Sequence, residues 1–94
     1  MANKIYISDI GTIILIDMGE NISLAIGITL DVIAPKSNNK IWIPDIEGTN
    51  FLRYVIDEGD LDQVGIYKIN PKLTLGDWTG HGDTVEFEVF NKGE

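Results

Sequence analysis

Apolar and polar residues alternate along most of this chain, in short runs separated by Gly, Asn, Asp and Pro. A period of two residues is typical of β-strands, whose successive side chains point to opposite faces of a sheet. The pattern predicts an all-β fold in a single domain over residues 1–94, with about seven strands. The predicted strands cover residues 4–7, 12–17, 23–33, 40–43, 51–56, 65–69 and 84–90, and the sixth resumes at Leu73 and Leu75 after an interruption at Pro71.

A corner motif before the sixth predicted strand indicates which all-β fold this is. The acid Asp62 is followed by Gly65 and then by Tyr67 at the start of an apolar alternation. Immunoglobulin-type sandwiches carry such a tyrosine two residues before their second cysteine, where it fixes the corner between strands E and F. Ile69 occupies that cysteine position here. We therefore expect a single Ig-like antiparallel β-sandwich without a disulfide.

The other strands can be placed by the same comparison. Residues 23–33 fit strand B, with Ile28 or Leu30 near the position of the first Ig cysteine. Trp42 falls where strand C of an Ig domain carries its core tryptophan. The alternation in residues 23–33 predicts one inward face, formed by Leu24, Ile26, Ile28, Leu30 and Val32. The core predicted for the whole domain includes Ile28, Leu30, Trp42, Ile69, Val85 and Phe87.

Charge and cysteine content narrow the classes of partner and chemistry. Fifteen acids against seven bases give a net charge of −8. This charge argues against binding to nucleic acid, which requires clustered Lys and Arg, and against anionic membrane surfaces. The absence of cysteine removes thiol catalysis and cysteine-based zinc sites, and it suits a reducing cytoplasm. The first residues lack the apolar segment of a secretory signal, so we expect none.

The candidate chemistry is sparse. His81 is the only histidine, so it has no second histidine or cysteine with which to form a familiar metal or nucleophile site. The acids Asp57, Glu58, Asp60 and Asp62 leave a weak Ca²⁺ site open, although Val64 and Pro71 occupy ligand positions of an EF-hand loop. We predict no enzyme activity and no cofactor.

Three apolar features are candidates for protein contact. The first is an apolar run, which predicts either a strand covered on both faces or an edge strand that a partner covers. It consists of Ile13, Ile14, Leu15 and Ile16. Trp78 lies in a Gly-rich hairpin predicted over residues 76–83, where an indole stacks on a sugar, anchors a protein contact or folds back on the domain. Phe90 ends the last strand.

Several stretches carry a family resemblance. They are Asp9-Ile-Gly-Thr12, Met18-Gly-Glu-Asn-Ile-Ser23, the segment from Tyr54 to Tyr67, and Trp78-Thr-Gly-His-Gly-Asp-Thr84. Together they resemble the small Ig-like structural proteins of tailed bacteriophages, and they are similar to the N-terminal β-sandwich of phage baseplate upper proteins. The loop 34–39 and Asn70-Pro71 depart from the pattern of that family.

The resemblance implies a non-enzymatic virion protein of the tail or baseplate, assembled in the host bacterial cytoplasm. Its partners would be other virion proteins, and its mechanism would be docking in many copies. The alternatives are a capsid decoration protein, a carbohydrate-binding module that uses Trp78, and a calcium-stabilised adhesion module. Self-association into a homo-oligomer stays open.

Overall fold

A computed structural model describes residues 4–92 of the chain, and the described part contains strands and turns but no helix. It therefore has no helix long and apolar enough to span a membrane. The nine strands of the described part are β1 (Ile5–Tyr6), β2 (Ile13–Asp17), β3 (Ile26–Ile33), β4 (Asn39–Trp42), β5 (Asp45–Glu47), β6 (Phe51–Val55), β7 (Gly65–Leu75), β8 (Trp78–His81) and β9 (Val85–Phe90).

The strands form two sheets. The large sheet has the order β1-β9-β7-β3-β4, and β8 pairs with the distal part of β7. The small sheet has the order β2-β6-β5. All pairings are antiparallel except that of β1 with β9. The predicted all-β class is confirmed, and the two sheets are those of a β-sandwich.

The core lies between the two sheets. On β7, Tyr67, Ile69 and Leu73 turn inwards and are almost completely buried, while Lys68 and Lys72 between them are exposed. This is the alternation expected of a strand with one face covered. The buried apolar residues are Ile16, Ile22, Leu30, Val32, Ala34, Trp42, Leu52, Ile56, Leu61, Tyr67, Ile69, Leu73 and Val89, and Ile28, Val85 and Phe87 pack against them half-buried.

Trp42 links the two sheets. It lies on β4, at the edge of the large sheet, and its ring stacks on Tyr54 of the small sheet with centroids 4.7 Å apart. The sequence assigned Trp42 to strand C and residues 65–69 to strand F, which are neighbours in an Ig sheet. This pair of assignments is wrong because β3 lies between β4 and β7. The tryptophan is buried all the same, since β4 presents alternate side chains to the core.

The prediction that residues 23–33 form one continuous strand is wrong. The strand begins at Ile26, and its register shifts between Ile26 and Thr29. Gly27 has φ 62°, the left-handed conformation of a glycine bulge. An extra residue reverses the faces that preceding side chains point to. Ile26, predicted inward, is therefore 68% exposed. Leu24, also predicted inward, lies in the turn before the strand and is 84% exposed.

The sheet assignment of that strand is also corrected. Residues 23–33 and 65–69 were assigned to strands B and F, which lie in opposite sheets of an Ig domain. In the structure β3 and β7 are hydrogen-bonded neighbours, with Val32 opposite Ile69. The alternation of residues 23–33 predicts a buried face but carries no information about which strand lies alongside.

Pro71 does not interrupt β7, which runs without a break through residues 65–75. Its carbonyl accepts a hydrogen bond of 2.9 Å from the Gly82 N–H. Because N–H and C=O of one residue point to the same side of an antiparallel strand, the missing N–H faces the gap between β8 and β9. The Gly82 carbonyl opposite the proline accepts a hydrogen bond from the Asn70 side-chain amide at 3.0 Å, so proline is tolerated.

The count of seven strands is wrong because two short strands, β5 and β8, lie outside the predicted strands. β5 pairs with β6, and its Ile46 packs against the core. β8 occupies half of the predicted Gly-rich hairpin, since the turn itself is only Gly76-Asp77. Gly76 has φ 63°, and glycine at the first central position is typical of a type II′ hairpin turn.

Candidate interaction surface

The edge strand β2 combines a buried and an exposed face. Ile16 is 5% exposed and Ile14 packs against the core, whereas Ile13 and Leu15 are 51% and 48% exposed. The strand pairs with β6 on one side, and on its other side no strand of residues 4–92 is bound. The run Ile13 to Ile16 was predicted as a candidate interface. Ile14 and Ile16 belong to the core, whereas Ile13 and Leu15 belong to the surface.

The backbone of β2 also presents hydrogen-bonding groups to solvent. The Met18 N–H, just after the strand, donates to the Asn50 carbonyl at 2.8 Å, which shows that even-numbered residues face β6. The direction alternates from residue to residue in an antiparallel ladder. The N–H and C=O groups of Ile13 and Leu15 therefore point away from the sheet. Such a row of groups is a template for a further strand.

Three of the other sheet edges carry features that hinder strand addition. β1 has only two residues, and β5 has three with an acid at each end. β4 contains Lys40 and is followed by Pro44. Short length, charge and proline each discourage pairing with another chain. β8 has a free edge of four uncharged residues, one of them Gly80. β2 has five residues with one charge, Asp17 at its end, so it is the longest edge of the described residues.

An exposed apolar strip lies beside this edge on the outer face of the small sheet. It consists of Ile13, Leu15 and Val55, and Ile13 lies directly opposite Val55 in the ladder. Arg53, opposite Leu15, pairs with Glu47 at 3.7 Å and borders the strip. An apolar strip next to unpaired backbone groups is the combination that β-strand addition uses: backbone hydrogen bonds bind, and side-chain contacts select.

Trp78 is the first residue of β8, directly after the hairpin turn Gly76-Asp77, and its side chain is 49% exposed. Its indole covers Gly80 so closely that a Cβ at Gly80 would clash with the ring. The glycine therefore allows the indole to lie close against its own strand. The structure thus places Trp78 partly folded back and partly exposed.

Phe90 lies on β9, next to the edge strand β1 of the large sheet. It is half-buried, it lies opposite Tyr6 of β1, and its ring carries the Lys4 ammonium 4.9 Å from the centroid. This candidate contact residue is therefore partly covered by its own chain.

The corner before β7 is held by the hydroxyl of Tyr67. The hydroxyl accepts a hydrogen bond from the Gln63 N–H at 3.1 Å and approaches Asp62 Oδ1 at 3.4 Å. The ring below it stacks on Phe87, with centroids 5.3 Å apart. Burial raises the pKa of Tyr67 above its usual value. Gly65, with φ 131° and Pro35 against it, admits no Cβ without a shift.

Lys40 supplies the positive charge of this corner. Its ammonium donates to the carbonyls of Gly59 and Asp60, each at 3.0 Å, and to Asp62 Oδ1 at 2.9 Å. These three acceptors match the three N–H groups of an ammonium. The hydrogen bond from Lys40 lowers the pKa of Asp62 below its usual range.

The acids of the suggested Ca²⁺ site are engaged in this network. Asp60 Oδ2 accepts the Tyr54 hydroxyl at 2.6 Å and the Asp57 N–H at 2.7 Å. Burial and this hydrogen bond raise the pKa of Tyr54 well above its usual value. Among residues 4–92 no group of three or more acids or histidines is arranged to hold a metal ion. The Lys40 ammonium lies against Asp62 and the carbonyls of Gly59 and Asp60.

The remaining polar candidates lie apart from one another. His81 is exposed on β8, opposite Lys72. Glu86 lies on β9 and its carboxylate is 3.9 Å from the Lys68 ammonium. Two shallow cavities of about 420 and 390 Å³ share Ile33 on the outer face of the large sheet. The structure does not bring these groups together into a site.

Comparison of the chain with family models, with curated proteins and with solved structures gave no match. The features of the surface therefore carry the functional argument. The sequence predicts Ile13 and Leu15 as contact residues, but it does not predict the role of Lys40. A lysine on a short strand gives no local signal of this role, because its acceptors lie about twenty residues further on.

Proposed function

We propose that this chain is a non-enzymatic structural module, an Ig-like β-sandwich that docks onto neighbouring proteins of a tailed-bacteriophage virion. The observation that carries the proposal is the open β2 edge, with its outward backbone groups and the apolar strip beside it. Strand addition at such an edge is a general mode of protein recognition.

The strand order supports the Ig-like part of the proposal. In an Ig sandwich, strands G, F and C are neighbours in one sheet and strands B, E and D in the other. The orders β9-β7-β3 and β2-β6-β5 match these sets, with β4 in the place of C′. Tyr67 then starts strand F, where its hydroxyl bonds to the backbone four residues upstream.

Repetition would supply the affinity. A single short strand edge buries little area and binds weakly. On a symmetric particle, however, linked copies bind with an effective concentration that raises the overall affinity by about 10²–10⁴ without any new contact. A small domain with an open edge is suited to this arrangement, because each copy needs only one modest contact.

The direct test is immunogold electron microscopy of particles from the source, with antibody against this chain. We expect label on the particle, and its position separates a tail or baseplate protein from a capsid decoration protein. Particles without label, from a source that expresses the chain, would contradict the proposal.

The docking surface can be tested by incorporation into particles. Leu15→Lys places a charge on the β2 edge and is expected to reduce incorporation strongly, because lysine at an edge disfavours strand addition. Leu24→Lys is the matched control, since Leu24 is 84% exposed and lies on another part of the surface. Equal incorporation of both variants would place docking elsewhere.

A second candidate function is carbohydrate binding for host recognition. The observation that favours it is the half-exposed Trp78 indole held close against Gly80, since aromatic rings stack on the apolar faces of sugars. The isolated chain would then bind on a glycan array and lose binding in Trp78→Ala. Silence across the array would remove this candidate.

A further inference from the structure

We propose that the occupant of the β2 edge is the β2 strand of a second copy, paired antiparallel about a two-fold axis at Leu15. This inference uses the same surface as the proposed function and rests on that surface being a docking site. It goes further by naming the partner and the register. The two small sheets would join into one continuous sheet of six strands.

The backbone of β2 is self-complementary in this register. The outward groups belong to Ile13, Leu15 and Asp17, the odd-numbered residues of the strand. A two-fold axis at Leu15 opposes Leu15 to its copy and Ile13 to Asp17 of the copy. Each opposed pair exchanges both of its hydrogen bonds, so the three pairs make about six. A two-fold axis perpendicular to the sheet also keeps both cores on one side.

The charges of β2 fit a second copy better than a basic partner. Asp17 is the only charged residue of the strand, so β2 offers no row of acids that would select a basic strand. In the proposed register each Asp17 faces Ile13 of the copy. The two Asp17 residues then lie four residues apart along the strand, about 14 Å, which exceeds the Debye length of about 8 Å at physiological salt.

Side-chain packing points the same way. The exposed strip of Ile13, Leu15 and Val55 continues across the axis into the strip of the second copy. Leu15 then has an apolar partner directly opposite, a pairing that stabilises antiparallel strands. The edges β1, β4 and β5 carry acids, Lys40 with Pro44, or only two residues, and β8 has four residues of which one is glycine. β2 is the longest free edge of the described residues and has four apolar side chains, so it is the edge that self-association would use.

Cysteine crosslinking tests the register, because the chain has no cysteine of its own. Leu15→Cys would oppose two thiols with Cα atoms about 5.5 Å apart, within the range that a disulfide spans. Ile13→Cys would place its two thiols about 14 Å apart, beyond that range. Leu24→Cys is the control for random collision, because Leu24 is more exposed than either.

We expect mild oxidation to give a covalent dimer in Leu15→Cys, at a yield at least tenfold above Ile13→Cys and Leu24→Cys. Sedimentation velocity of the native chain should show a mass approaching twice 10.4 kDa as concentration rises. The dimer fraction should increase with salt, since both copies carry a charge of −8. Leu15→Lys should weaken the dimer at least tenfold.

Equal crosslinking of the three cysteine variants, or a native chain that stays monomeric up to millimolar concentration, would overturn the pairing. Neither result affects the immunogold experiment, which tests the virion role alone. A labelled particle with a monomeric chain would sink the inference and leave the proposed function. A dimer without particle label would contradict the proposed function and leave the pairing of two copies.

Discussion

Removal of the Tyr67 hydroxyl tests which contacts stabilise the corner before β7. Tyr67→Phe removes one oxygen and keeps the ring that stacks on Phe87. The side chain is fully buried, so no water replaces the hydroxyl at its own position. What is lost is the acceptor for the Gln63 N–H at 3.1 Å and the longer contact to Asp62 at 3.4 Å.

The magnitude follows from these two distances. The bond from Gln63 has ordinary geometry, and the net value of such a hydrogen bond is about 0.5–1.5 kcal/mol. The contact to Asp62 is long and adds little. The Gln63 N–H is left partly buried without its acceptor, which adds part of a desolvation penalty. We therefore expect Tyr67→Phe to lower the free energy of unfolding by about 1–2 kcal/mol.

The assay is urea unfolding followed by tryptophan fluorescence, supported by thermal melts. For a domain of this size, about 1 kcal/mol shifts the melting temperature by roughly 4–8 °C. Asp62→Ala is the informative comparison, because it removes the carboxylate but leaves the bond between Gln63 and Tyr67. Tyr67→Phe is therefore measured in the native chain and in Asp62→Ala. If the hydrogen bond from the Gln63 N–H dominates, the loss in free energy of unfolding differs between the two by less than about 0.5 kcal/mol.

A change below about 0.3 kcal/mol, with an unchanged urea dependence, would refute the reasoning. It would mean that the corner keeps its conformation without the hydroxyl. The network around Lys40 would then be the main restraint on the corner.

Three further perturbations test other parts of the account. Gly80→Ala should displace the Trp78 indole from its strand, which a red-shifted fluorescence and stronger iodide quenching would report; an unchanged spectrum would contradict the contact. Asp62 has a lowered folded-state pKa, so its contribution to stability is present above its usual 3.8 and is lost as the pH falls through the folded-state value. Urea unfolding should therefore show that the stability difference between the native chain and Asp62→Asn shrinks below about pH 4, and a constant difference would argue against the Lys40 interaction. Tyr54 has a raised folded-state pKa, so its contribution is complete below pH 10 and is lost as the pH rises towards the folded-state value. Tyr54→Phe should accordingly lose less stability than the native chain above about pH 10, and equal losses would speak against the hydrogen bond to Asp60.

The sequence predicts the β class and much of the core because alternation and burial are local properties. Ile69 and Leu30 are buried as their strand patterns indicate. The bulge at Gly27 escapes prediction, since one glycine in an apolar alternation does not reveal that the backbone turns left-handed there. The prediction that Ile26 points inwards was therefore wrong.

Strand neighbours and long-range contacts are harder to predict than strands. The apolar run from Ile13 to Ile16 is compatible with a central strand or an edge strand, and only the position of β2 beside β6 decides between them. Likewise, Lys40 meets its acceptors through the packing of β4 against the corner. Neither relation has a short-range signature in the sequence.

Hydrogen exchange of the β2 amides, resolved by residue, tests the central claim that this edge is open and offered to a partner. In dilute solution we predict an alternation: Ile13 and Leu15 exchange rapidly, whereas Ile14 and Ile16 are protected by β6. At high concentration, pairing with a second copy should slow Ile13 and Leu15 selectively. Protection of Ile13 and Leu15 already at high dilution would contradict the account, because their N–H groups would then be bonded within the chain.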